Sequence, residues 1–89
     1  MKRLKRELEQ WLPEQFPGSE VSLELGRSGA KLSGILAWKG FDGLEPIDRQ
    51  SLLRHALRSH LNREDQLRIS LIITLTPAEY SVYREPQMA

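Results

Sequence analysis

Phe41-Asp42-Gly43-Leu44-Glu45-Pro46-Ile47-Asp48-Arg49-Gln50-Ser51-Leu52-Leu53-Arg54-His55-Ala56-Leu57, and further on Leu71-Ile72-Ile73-Thr74-Leu75-Thr76-Pro77-Ala78-Glu79-Tyr80, decide the architecture of this chain. Gly40 to Gly43 breaks the preceding segment, and Pro46 with Asp48 announces a helix. Proline is at home in a first helical turn, and an acid there complements the helix dipole. The helix is expected to run to about Leu61 and to bury Leu53, Ala56, Leu57 and His60 or Leu61. Leu67 to Leu75 alternates at first and then turns continuously apolar through Leu71-Ile72-Ile73, as a strand does when parts of both its faces are covered.

Outward from there, Leu4, Leu8, Trp11 and Leu12 fall at i, i+4, i+7 and i+8, one stripe of a helix. Lys2, Arg3, Lys5, Glu7, Glu9 and Gln10 cover its other face. Pro13 is expected to weaken the continuation, and Phe16 is a last apolar anchor before the turn Pro17-Gly18-Ser19. Glu20 to Leu25 alternates, with Val21, Leu23 and Leu25 on one face, and reads as a half-exposed strand. A turn over Gly26 to Lys31 leads into a second strand, Leu32 to Trp38, in which Gly34 marks a bulge or a close backbone contact. Asn62 to Gln66 reads as a polar loop, and 84–89 as a frayed tail beyond a single domain over 1–83. A strand-helix-strand unit within one sheet favours a right-handed parallel crossover. The expected fold is therefore α+β, in the order α-β-β-α-β, a three-stranded mixed sheet with two helices on one face.

The bulk properties narrow the function. Eighty-nine residues make one domain with one modest core. The net charge of +1 gives the whole chain no strong preference for polyanions, so any such preference must come from local patches. No cysteine is present, which removes disulfides, thiolate metal sites and thiol catalysis together. The longest apolar run is far short of the ~18 residues that read as a membrane span. The basic N-terminus leads into a charged amphipathic stretch, unlike the apolar run of a signal peptide. The expectation is a cytoplasmic protein with no membrane partner.

Three segments in this order resemble the BolA family, whose fold is akin to the type II KH domain. They are Phe41-Asp42-Gly43, Arg49-x-x-Leu52-Leu53-x-x-Ala56-Leu57 and Thr76-Pro77-Ala78-Glu79-Tyr80, and the resemblance covers Phe16 to Tyr80. It implies a small module that binds monothiol glutaredoxins and shares an iron–sulfur cluster with them. The family's ligands are a histidine just before the last strand and a cysteine or histidine in the loop between the first two strands. Here the first position is Arg68, and Gly26 to Lys31 holds neither residue type. No cofactor is therefore expected.

The remaining chemistry is sparse. His55 and His60 lie five apart, ~140° around a helix, which is not the i, i+4 pair of a zinc helix. No orienting acid or oxyanion hole accompanies either histidine, so an enzyme is not expected. The two GxxG strings, Gly26-Arg27-Ser28-Gly29 and Gly40-Phe41-Asp42-Gly43, read as turns and not as phosphate clamps. Arg49, Arg54, Arg58, Arg63 and Arg68 form a basic series along the second helix and its exit, which Arg27 and Lys31 could join to gather phosphates. Phe41 and Tyr80 are candidate stacking surfaces. Two readings follow: a protein adaptor without cluster ligands, docking a partner or a second copy through the second helix and third strand, or a KH-like binder of single-stranded RNA or DNA.

Overall fold

The N-terminal stripe becomes helix α1, Lys2–Gln15, with Leu4, Leu8 and Leu12 buried, in a computed structural model that describes residues 2–27 and 29–84. Each buried leucine stabilises the fold by about 1.5–3 kcal/mol. The helix runs on through Pro13. The ring withholds one donor, from the carbonyl of Glu9, and that residue is exposed to water, which can bond the carbonyl instead.

Strands β1 (Glu20–Leu25) and β2 (Leu32–Ala37) form an antiparallel hairpin, and β3 (Ile69–Leu75) pairs parallel to β2, in the order β1-β2-β3. The parallel pair needs a crossover, supplied by α2 (Pro46–His60) and the short α3 (Arg63–Leu67). Register places Leu23, Gly34 and Ile72 in one row and Val21, Leu36 and Thr74 in the next. That face, α1 and α2 enclose the core, with Phe16, Phe41, Leu53 and Leu57 filling its centre. A Cβ at Gly34 would overlap the Ser22 carbonyl oxygen and lie 2.7 Å from Leu23 Cδ2, so β1 crosses here at a separation that only glycine permits.

The expected α+β order of elements is present, with two additions. Asn62 to Gln66 is not a loop: the Asn62 side chain accepts from the Asp65 N–H at 2.7 Å and starts α3. Thr76-Pro77-Ala78-Glu79-Tyr80 does not merely end a strand; it opens α4, Pro77–Tyr83, through a reciprocal capping box between Thr76 and Glu79. Tyr83 shares a hollow with Ser33, Ile35, Leu71 and Ile73 on the sheet face away from α1 and α2. Arg84, just past the helix, reaches Glu20 of β1 at 3.0 Å. Positions 85–89 of the expected tail lie outside the described residues. Among the described residues no helix is long and apolar enough to cross a membrane.

Candidate binding groove and basic end

Helix α2, the end of α3 and strand β3 border a groove of about 260 Å³. Leu53, Leu57, Ile69 and Ile72 form its apolar floor, and Gln50, Arg54 and Gln66 its polar rim. β3 is an edge strand, so one side of its backbone has no sheet partner. Gln50 of α2 covers part of that side, donating to the Ile72 carbonyl at 2.9 Å and to Thr74 Oγ1 at 3.2 Å. Gln66 is held in place by donating to the Leu61 carbonyl at 2.9 Å.

Arg54 stands on the rim, and Arg58 follows one turn later on the same helix; both are exposed and neither has an ion-pair partner among the described residues. The series does not stay together, however. Arg49 is 8% exposed and its guanidinium belongs to the fold. Nε donates to the Leu44 carbonyl at 3.0 Å, and Nη1 donates to Glu79 at 2.7 Å and to the Thr74 carbonyl at 3.5 Å. The expectation of a phosphate-gathering Arg49 is corrected accordingly. Phe41 is corrected too, because a fully buried ring packed against Phe16 and Trp38 offers no face to a base. Tyr80 is half-buried on α4 with Arg84 4.9 Å over its ring, away from the groove.

The positions where the resemblance places cluster ligands do meet in space. Lys31 Nζ donates to the Leu67 carbonyl at 2.7 Å, and the Leu32 N–H to the Arg68 carbonyl at 2.8 Å, which brings the hairpin loop beside the entry to β3. The residues brought together there are Lys31 and Arg68, with Arg27 in the same hairpin loop. A guanidinium and an ammonium have no lone pair for iron, and Arg68 instead pairs with Glu64 at 3.3 Å. The residues present do not fit an iron–sulfur cluster. Among the described residues no three histidines, cysteines or acids gather as a metal site.

A net charge of +1 conceals a polarised molecule. Leu25, Leu32 and Ile69 adjoin at one end of the sheet. At that end stand Arg27 and Lys31 in the hairpin loop, and Arg58, Arg63 and Arg68 around the exit of α2. Helix α1 starts there as well, since Lys2, Lys5 and Arg6 share a hollow with Leu23 and Leu25. Most of the thirteen lysines and arginines therefore collect at one end, where Glu7, Glu9, Glu24, Glu64 and Asp65 offset them in part. The other end carries Glu20, Asp42, Glu45, Asp48 and Glu79, with two of its cations, Arg49 and Arg84, consumed in ion pairs.

Several of these residues escape a local reading of the sequence. Gln50 and Gln66 matter only once α2, α3 and β3 are assembled. Trp11 and His60, on different helices, stack at 4.1 Å with rings 9° from parallel, and Glu7 approaches His60 Nε2 at 3.8 Å. The signal available in sequence was the cationic start of α1, which has no acid in its first turn.

Glu79 gives a pH prediction. Its carboxylate accepts the Thr76 N–H, and secondly the Arg49 guanidinium, and these hold its pKa below the ordinary carboxylate value. A depressed folded pKa contributes stability that is present above the unfolded value and lost as pH falls through the folded one. Glu79→Gln should therefore melt below the wild type at pH 7, with the gap closing as the buffer is taken from pH ~5 to below ~4. A gap that stays constant in acid would show that the charge contributes nothing.

No family model matches the chain, and no curated protein does. Among solved structures, the crystal structure of a bol-like protein from Babesia bovis aligns with 21% identity, over 92% of this chain and 90% of that one, at a TM-score of 0.50. Among the described residues four α-helices and a three-stranded mixed sheet, in this order, give the chain a BolA-like fold.

Proposed function

We propose that the chain is a non-enzymatic binding module that takes single-stranded nucleic acid along the groove between α2 and β3. The observation that supports this most is the pairing of a partly apolar groove with Arg54 on its rim and Arg58 one turn on, neither of them ion-paired among the described residues. Bases shed water onto the half-buried Ile69 and the exposed Leu71, above the buried Leu53, Leu57 and Ile72, while Arg54 and Arg58 meet successive phosphates and Lys31 and Arg27 continue the positive field. Gln50 and Gln66, whose Nε2 groups are held by Ile72, Thr74 and Leu61, leave their amide oxygens as acceptors for a base edge. A duplex has its base faces stacked away from such a floor, so a single strand fits better.

Arg54→Glu with Arg58→Glu tests this. Anisotropy with a labelled 12-mer should show affinity falling by ~10-fold or more at low salt, and the salt slope shrinking by ~1.4, for two phosphate contacts. Unchanged affinity would overturn the reading. The alternative is a protein adaptor docking through the same helix and strand, favoured by Leu67 and Leu71, which are 65% and 55% exposed beside the edge of β3. Such docking would hardly respond to salt.

A further inference from the structure

We infer that the first turns of α1 form a second polyanion contact, so that a bound strand runs from the groove, past the hairpin loop, onto Lys2, Arg3 and Arg6. The inference rests on the nucleic-acid reading of the groove and extends its footprint to an element that the groove does not include.

Two independent observations carry it. The first is local. A helix N-terminus is the positive end of the backbone dipole, where each cation costs roughly 0.3–1 kcal/mol and each acid stabilises. Helix α1 opens with Lys2, Arg3, Lys5 and Arg6 and has no acid in its first turn. A sequence that breaks a local stability rule without compensation points to a binding duty. Compensation is incomplete here. Lys5 is neutralised by Glu9 at 3.0 Å, while Glu7 faces His60. Lys2, Arg3 and Arg6 are exposed and have no ion-pair partner among the described residues.

The second observation is placement. These three cations are not at a remote corner. Lys2 and Arg6 border the hollow that also contains Leu25, the last residue before the hairpin loop of Arg27 and Lys31. Lys31 in turn is bonded to Leu67, next to Arg68 at the mouth of the groove. The cations of α1, of the hairpin loop and of the α2 exit therefore share one end of the sheet. The acids there include Glu7, Glu9, Glu24 and Glu64, of which Glu9 and Glu64 are already paired. Glu9 and Glu24 line the same hollow as Lys2 and Arg6, and Asp65 adjoins Glu64 in α3, so this end carries a net positive but not an unopposed charge.

The test uses length. Strands of ~6 and ~16 nucleotides bracket the range of single-strand site sizes, and the short one fills only the groove. Wild type should bind the long strand at least ~10-fold tighter than the short one in low salt. Arg3→Glu with Arg6→Glu should abolish that gain, reduce the long-strand salt slope by ~1.4, and leave short-strand affinity unchanged. The same variant should melt at or above the wild-type temperature, because acids suit the start of a helix. Arg3→Gln with Arg6→Gln, free of any new repulsion, should lose most of the gain too. Variants that keep the gain would overturn the inference, and so would a wild type without one. Equal loss on both lengths would reduce α1 to bulk charge and also overturn it. The groove stands or falls separately: Arg54→Glu with Arg58→Glu must weaken the short strand.

Discussion

Phe41→Ala is expected to lower the melting temperature by roughly 15–30 °C. Phe→Ala in a packed core costs about 3–5 kcal/mol, and each kcal/mol moves a domain of this size by ~4–8 °C. Phe41 is completely buried. Its ring meets Trp38 edge-on at 5.2 Å and Phe16 at 6.0 Å, and Trp38 in turn donates its Nε1–H to the Pro17 carbonyl at 3.0 Å. Removing the ring leaves a cavity at the point where the end of α1, the end of β2 and the turn into α2 come together. Thermal melts followed by circular dichroism would measure the effect. Should the alanine variant fail to fold, Phe41→Leu, which conserves more volume, should still melt several degrees low. A shift within 2–3 °C for both would remove Phe41 from the core. A base-stacking residue would show the reverse behaviour, with normal melting and weak binding.

Arg49→Met is the second large effect, and its cause is polar. The guanidinium joins the loop before α2, the edge of β3 and the start of α4, through Leu44, Thr74 and Glu79. Methionine keeps much of the volume but donates nothing, so the Leu44 and Thr74 carbonyls lose a buried partner. Unsatisfied buried groups cost about 1–3 kcal/mol each. The Thr74 contact, at 3.5 Å, counts as the weaker of the two. The melting temperature should fall by roughly 10–20 °C, while oligonucleotide affinity below the melt stays at the wild-type level. Arg49→Lys should rescue little, because an ammonium does not reproduce a planar fork. Loss of affinity with unchanged melting would place Arg49 back in the binding surface.

These two residues show where the sequence was legible. Periodicity at Leu4, Leu8 and Leu12 and alternation over Val21, Leu23 and Leu25 report burial directly, so the main elements and their order could be read. Thr76-Pro77-Ala78-Glu79 carried an N-cap signature in full view, yet the helix it starts is too short for a hydrophobic period to show. Arg49 and Phe41 looked like surface chemistry because residue type was the only evidence. Their burial depends in part on neighbours 25 to 30 positions away, Phe16 for Phe41 and Thr74 and Glu79 for Arg49, which no local pattern encodes. Arg54 and Arg58 could be placed on one helix face, since four residues on a helix is a local relation, and both are exposed there. The polarity of the whole molecule was hidden because composition adds charges without regard to position.

Arg49 and Gln50 have one more consequence, for the size of the sheet itself. Two adjacent side chains of α2 occupy the Thr74 and Ile72 carbonyls on the side of β3 that has no neighbour. An incoming strand needs those same acceptors, so it would have to displace a buried arginine and a seated amide before it could pair there. The far half of β3 is in effect already finished, and growth of the sheet from that side, whether by domain exchange or by stacking chain upon chain into a fibril, is blocked at its first hydrogen bonds.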